Sequence, residues 1–315
     1  MTAAAPSDEA AIAVVVVTHQ TRDEALGCLA SLGPDDADEV VVVDTGSTDG
    51  SADAVRASHP EVRVLELANA GFGRGANAGV RATTTPHVLV VNADVRVTPG
   101  SVRRLAEELT ADPRLGAVGP EVRYPDGSRQ ASARQVPDLA TAVGHALLGR
   151  VAPDNRWTRR YRQTHTDPVE PRDVEWLSGC ALALRRRAFD DVDGFDPGYH
   201  LYVEDLDLGV RLRAAGWALR YQPAARVVHR VGASTAGQRG RALASHAASV
   251  DRYLRRHHRS MLARLLRPVV RVALVGWVAA TWSWERVLGG RRSTTGERRD
   301  AAGERRDATG EGRRP

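Results

Sequence analysis

The stretch Ile12-Ala13-Val14-Val15-Val16-Val17-Thr18-His19 decides the fold, because a short apolar run dominated by valine reads as a strand buried on both faces. Similar runs follow at Val40-Val41-Val42-Val43, Val62 to Leu67 and Val88-Leu89-Val90-Val91. Helix-like stretches separate them over Arg22 to Leu32, from Ser51, and over Ala76 to Ala82. Strands covered on both faces and joined by helices predict an α/β fold, with a Rossmann-like, mostly parallel central sheet and right-handed crossovers. Such sheets bind ligands beyond the carboxyl ends of their strands. Here those ends read Thr18-His19, Asp44-Thr45-Gly46-Ser47, Asn69-Ala70-Gly71 and Asn92-Ala93-Asp94.

Outward from this core the pattern changes. Residues 112–171 read as strands and loops punctuated by Pro and Gly, as in an acceptor-side region. Strong patterning resumes at Trp176-Leu177-Ser178-Gly179-Cys180 and runs to about Val231. A basic amphipathic stretch, an uncharged stretch from Val272 to Trp284 and a charged repeat in which GERRD occurs twice complete the chain. With 315 residues and 42% hydrophobic content, the composition is that of a globular protein. All 44 basic residues are Arg, which reflects a composition bias, and the tail from Arg291 holds eight of them against five acids. The rest of the chain is nearly balanced, so no broad basic surface directs it to nucleic acid. Cys28 and Cys180 form no CxxC pair, and Met1 to Ala10 lacks a signal-like pattern, so a reducing cytoplasm is expected.

Several strand-end residues have the right chemistry for a nucleotide ligand. Asp44 can accept hydrogen bonds from a base or ribose, or simply cap its own turn. Thr18, Gly73, Arg74, Asn77 and Asn92 are further candidate nucleotide contacts, the middle three in the segment Asn69 to Gly79. That segment also satisfies G-x-G-x-x-A at Gly71 to Ala76, with Asp94 placed like a ribose-binding acid, so a dinucleotide-dependent oxidoreductase is a rival reading. Against it, the pattern falls in the third βα unit instead of the first. Asp94 offers a hard oxygen to Mg²⁺ or Mn²⁺, and His229 a nitrogen. Glu204-Asp205-Leu206-Asp207 opens a helix whose dipole alone favours the acids. A carboxylate there can also take a proton from an acceptor hydroxyl, and Asp205 is the candidate base with Glu204 beside it. Trp176, Gly179 and Tyr202 are the candidate acceptor contacts.

Together, VVVVTHQTRD, EVVVVDTGSTDGS, NAGFGRGANAGVRA, VLVVNADV, WLSGCALALRR, GFDPGYHLYVEDLDLGVRLRAAGW and VVHRVGAST resemble the family 2 glycosyltransferases of the GT-A fold, over roughly Ile12 to Thr235. The nearest likeness is to actinobacterial rhamnosyltransferases acting on N-acetylglucosaminyl-diphospho-polyprenol in cell-wall synthesis. The resemblance implies inverting transfer from dTDP-L-rhamnose, with Asp44 on the nucleobase and Arg74 and Asn77 along the donor. It further implies Asp94 as the last acid of a D-x-D-type metal motif, Asp205 as base and His229 as metal or diphosphate contact. His19-Gln20, Thr45-Gly46 and Ala93 depart from the frequent Tyr-Asn, Asn-Ala and Pro, which leaves UDP-galactofuranose, UDP-glucose and GDP-mannose as alternative donors. A non-catalytic sugar-nucleotide sensor is the remaining alternative.

On this reading residues 1–10 are a disordered N-terminus and 11–240 the GT-A domain, split into a nucleotide-sugar half (11–100) and an acceptor half (101–240). Residues 241–290 form a helical, membrane-associating extension, and 291–315 a disordered charged tail. Arginines from Arg255 to Arg271 interleave with Met261-Leu262, Leu265-Leu266 and Val269-Val270, a mixture for anionic headgroups and the acyl boundary. The stretch Val272 to Trp284 is shorter than the roughly 20 residues a span needs, so it reads as lying in the interface, with packing on the catalytic domain or a second subunit as the alternative. The expected location is therefore peripheral, on the inner face of the cell membrane.

Overall fold

The structure, a computed structural model, describes residues 8–137, 154–162, 169–232 and 239–258, with isolated positions at 141, 152, 261, 264, 265, 268, 270–272 and 276. Two compact units emerge, residues 1–238 and 239–315. The first begins with β1 (Ile12–Thr18), α1 (Arg22–Ala30), β2 (Glu39–Asp44), α2 (Ser51–Ser58), β3 (Arg63–Glu66), α3 (Phe72–Arg81) and β4 (His87–Asn92). It continues through β5 (Val95–Val97), α4 (Ser101–Ala111), β6 (Leu115–Arg123), β7 (Arg129–Gln130), β8 (Ala133–Arg134), α5 (Arg156–Arg162), β9 (Arg172–Val174) and β10 (Trp176–Leu177). Its last elements are β11 (Ala181–Arg185), α6 (Arg186–Asp191), α7 (Glu204–Ala214) and β12 (Ala218–His229). The described part of the second unit contains α8 (Arg239–His257).

The main sheet runs β3-β2-β1-β4-β11-β6-β12-β5, with β7 added to β6 and β9 to β12. β3, β2, β1 and β4 are mutually parallel, as the valine runs require. β11 then enters antiparallel between β4 and β6, and β12 pairs parallel with β6. Alternate residues of β1 feed two cores: Val14 and Val16 pack with Leu89 and Leu105 on one face, while Ala13, Val15 and Val17 pack with Val80 and Leu208 on the other. Both faces of the strand are dry, so nothing selects polar residues along it.

Two expectations change and a third sharpens. α3 starts at Phe72, four residues before the predicted Ala76, because close packing overrides the weak helix propensity of Gly73 and Gly75. Residues 112–171, read as loosely patterned strands and loops of an acceptor-side region, supply β6, nine residues in the middle of the main sheet. Asp8–Ala10, expected to be disordered, forms a 3-10 turn whose Glu9 carbonyl accepts from the Thr110 hydroxyl. The tail 291–315 and most of Val272 to Trp284 lie outside the described residues. Among the described residues, no helix is long and apolar enough to cross a membrane.

Candidate active site

β1, β2 and β4 end side by side, Thr18 opposite Asp44 and Val17 opposite Asn92, so their terminal residues share one rim. Asp44 is 2% exposed. Its Oδ1 accepts the Ser47 amide at 2.7 Å, whereas Oδ2 is buried with no hydrogen-bond partner in the protein. An unpaired buried carboxylate oxygen is costly, and a ligand N–H or O–H would satisfy it. Around it, His19 Nδ1 bonds the Thr45 carbonyl (2.8 Å), His19 Nε2 meets the Asn69 amide nitrogen (3.1 Å), and the Gly71 N–H donates to Asn69 Oδ1 (3.3 Å).

Asp94 and His229 converge from opposite ends of the sequence, because β12 pairs with β5 and sets His229 opposite Val95. Both are buried, and Nε2 lies 3.2 Å from Asp94 Oδ1. Nδ1 of His229 is held by Gln130 Oε1 at 3.0 Å, which fixes the ring. Burial works against a charged imidazole, but hydrogen bonds to Asp94 and Cys180 prevail and lift His229 to about 10. Among the described residues no cluster of three or more His, Cys, Asp or Glu is arranged around a metal. An oxygen and an imidazole nitrogen this close nevertheless fit a divalent ion that takes its remaining ligands from a diphosphate and water.

The catalytic candidates open α7. Tyr202 (φ 68°) and Val203 (φ 70°) are left-handed in succession, a strained geometry for a β-branched residue that fixes where the helix starts. Asp205 Oδ2 accepts the Gly179 N–H (2.9 Å) and Oδ1 the Leu206 N–H (2.8 Å), so the carboxylate is aimed by backbone. Burial raises the Asp205 carboxyl, while those amides and the Arg134 charge pull it back. Glu204 is 7% exposed with Oε2 unpartnered. Burial first, and the Asp205 charge second, push it up to about 8. The third acid, Asp207, is fully buried against Arg211 (2.7 Å) and the Tyr199 hydroxyl (3.2 Å), a structural role.

Other predicted residues take different positions. Asn77, expected along the donor, is buried and clasps Phe195, its Nδ2 donating to the carbonyl (2.8 Å) and its Oδ1 accepting the amide (2.9 Å). Gly73 faces the Phe195 side chain. The Thr18 hydroxyl is turned to Thr21 at 2.8 Å. The Gly71–Ala76 pattern is thus helix packing in place of a phosphate loop. Arg74 is exposed and donates to the Pro197 carbonyl (3.1 Å), and Asn92 sits half-buried at the end of β4. Trp176 is buried beneath Arg134, whose guanidinium lies 4.7 Å from the ring centroid, and Tyr202 is exposed. Gln130 and Arg134 were not anticipated. The turn signature Pro125-Asp126-Gly127 could have placed a hairpin there, but its partners lie far along the chain.

The family model for glycosyl transferase family 2 matches residues 13–193. The chain is 39% identical over 275 residues, 83% of its length and 89% of the relative's, to N-acetylglucosaminyl-diphospho-decaprenol L-rhamnosyltransferase of Mycobacterium tuberculosis. It is 24% identical over 253 residues, 77% and 92% of the two chains, to rhamnosyltransferase WbbL of Escherichia coli. In fold it matches a mannosyltransferase from Pyrobaculum calidifontis in complex with GDP-Man and Mn²⁺ at TM-score 0.55 and 19% identity, covering 88% of this chain and 75% of that one. GalNAc-T7 with UDP, GalNAc and Mn²⁺ matches at TM-score 0.54 and 16% identity, covering 70% and 43%. The dinucleotide-dependent oxidoreductase reading falls with these matches. The chain belongs to glycosyl transferase family 2 and is a glycosyltransferase of the GT-A fold.

Proposed function

We propose that the enzyme transfers L-rhamnose from dTDP-L-rhamnose, with inversion, to an N-acetylglucosaminyl-diphospho-polyprenol acceptor in cell-wall synthesis. The observation that supports the chemistry is Asp205, whose carboxylate is held by the Gly179 and Leu206 amides, with Cys180 beside Gly179 accepting the Asn92 N–H at the end of β4. The donor and acceptor identities are supported by the 39% identical relative, whose name states that reaction.

In this reading Asp44 takes the nucleobase through its open Oδ2, while Arg74 and Asn92 border the donor. Asp94 and His229 would hold Mg²⁺ or Mn²⁺, which would stabilise charge on the leaving diphosphate. Trp176, Gly179 and Tyr202 border the acceptor sugar. Asp205 removes the proton from the acceptor hydroxyl as that oxygen attacks the anomeric carbon. The bond to the diphosphate breaks on the opposite face, and dTDP departs with the electron pair. Glu204, still protonated near neutrality, keeps a second negative charge away from the base. The enzyme works at the inner membrane face, with residues 241–290 lying in the interface.

Replacing Asp205 by Asn keeps the shape and one of the two backbone hydrogen bonds, through the remaining amide oxygen, and removes the base. Turnover should fall by about two to four orders of magnitude, while dTDP-rhamnose binding, read by thermal shift with Mg²⁺, should be retained. Near-wild-type turnover would falsify the base assignment, and a preference for UDP- or GDP-linked sugars would move the donor to another branch of the family.

A further inference from the structure

Beside the catalytic rim lies a cluster that the transfer chemistry does not use. Glu121, on β6, is 2% exposed and sits among three arginines. Arg123 Nε meets Oε1 at 2.5 Å, Arg129 Nε meets Oε2 at 2.9 Å and Arg226 Nε approaches Oε1 at 3.8 Å. Strand register makes this convergence obligatory: Glu121 pairs with Arg226 across β12, and Arg123 pairs with Arg129 across β7, so all four side chains leave the same face.

Three guanidiniums against one carboxylate leave a surplus of positive charge. Arg129 and Arg226 reach Glu121 through Nε, and their side chains are 39% and 57% exposed, so their terminal amino groups remain for a second anion. Arg123 is further tied to the Gly127 carbonyl at 3.2 Å, which makes it the anchor of the group. The buried carboxylate thus acts as a template that holds the guanidiniums together against their mutual repulsion.

Position and neighbours indicate what that anion is. Arg129 adjoins Gln130, which holds His229 from the opposite face of β7, so the cluster sits near the same strand ends as the Asp94–His229 pair but on the other face of the sheet. It shares its face with Tyr221, which packs in the core with Leu177, next to Trp176, and with Leu208 of α7, three residues beyond Asp205. An exposed aromatic side chain, Tyr124, follows Arg123 directly. A forked, doubly anionic group attached to an apolar chain matches this surface.

We propose that Arg129 and Arg226, anchored by Glu121 and Arg123, bind the diphosphate of the lipid-linked acceptor, an assignment that rests on the transfer reaction proposed above. The cluster then orients the acceptor sugar toward Asp205 and discriminates diphospho-lipids from uncharged glycosides.

Calorimetric titration of the full chain in the presence of a chelator tests this with two probes. One is N-acetylglucosaminyl diphosphate carrying a short prenyl tail, and the other is octyl N-acetylglucosaminide. The wild type should bind the diphosphate probe at least roughly ten-fold more tightly, and Arg226→Gln and Arg129→Gln should each remove most of that preference. Arg226→Lys should restore part of it. Arg230→Gln, which deletes an equal charge nearby but outside the cluster, should leave it intact. Thermal melting of each variant separates lost contacts from lost folding, and Arg226, the most exposed of the three, keeps the test open if Arg129→Gln fails to fold. Equal affinity of the wild type for the two probes, or unchanged preference in Arg226→Gln, overturns the proposal. So does a variant that loses only its binding to phosphatidylglycerol vesicles, because the cluster would then serve a bulk headgroup. Rhamnosyl transfer assayed on the same proteins, with Mg²⁺ in place of the chelator, keeps the readings apart: arginine-dependent binding without transfer from dTDP-rhamnose sinks the donor assignment and leaves the cluster's role standing.

Discussion

Asn77 illustrates how residue type and role separate at the scale of single side chains. An amide four residues after a glycine pair, in a segment that follows a strand end, has the right chemistry for a diphosphate, and that is how the sequence reads. In the folded chain both its polar ends are consumed by Phe195, 118 positions away. No local pattern encodes a partner at that distance, which is why the Phe195 clasp and the Gln130 contact are illegible in the sequence, whereas the placement of Asp44, Asp94 and Asp205 at strand and helix ends follows from local pattern. The distinction is measurable. Asn77→Leu leaves the Phe195 N–H and C=O unpaired in a buried site and should cost about 2–4 kcal/mol of stability in urea denaturation. The Michaelis constant for the donor, measured on the folded fraction, should stay within about two-fold, since one lost ligand hydrogen bond would change it by more. A large rise in that constant at unchanged stability would return Asn77 to the donor site.

At the scale of elements, the valine runs located β1, β2 and β4 because strands dry on both faces carry an unambiguous signal. β6 was legible only as part of a run of strands and loops without its central place, because Leu115-Gly116-Ala117-Val118-Gly119-Pro120 also looks like a turn; in the sheet, Gly116 and Gly119 leave room for Trp217 and Leu177. α7 was legible as a helix, but not the electrostatics of its first turn. Glu204 releases its proton near 4.5 when unfolded and near 8 when folded, so the folded state binds the extra proton between those values. Its contribution to stability is therefore fully present below pH 4.5 and is lost as pH rises through 8. Between pH 5 and 8 the wild type should lose stability relative to Glu204→Gln, with a slope of at most about 1.4 kcal/mol per pH unit. Parallel stability curves for the two proteins across that range would show that Glu204 ionises normally.

At the scale of the whole molecule, the catalytic unit and the basic C-terminal stretch pose separate questions. Arg255, Arg256 and His257 close α8, and described residues beyond it include His258 and exposed Met261, Leu265 and Val272. A surface of arginine and exposed apolar groups should partition to anionic interfaces by charge and burial together. Full-length protein should float with vesicles containing phosphatidylglycerol, float less at high salt, and stay down with neutral vesicles. Equal recovery with neutral and anionic vesicles at low salt would remove the electrostatic part of the membrane assignment.

The segment from Phe195 to Val203 has a further consequence for how such an enzyme changes over generations. Three fasteners attach it to α3: the Phe72 amide on the His200 carbonyl, Arg74 on Pro197, and Asn77 on Phe195. Gly71 at φ 102° leaves no room for a side chain against the His200 backbone. The stretch that delivers Asp205 is therefore riveted to α3, and neither can drift alone. Recombination that exchanges residues 195–205 between two such enzymes should yield active offspring only when residues 69–77 travel with them. The two stretches are inherited as one block.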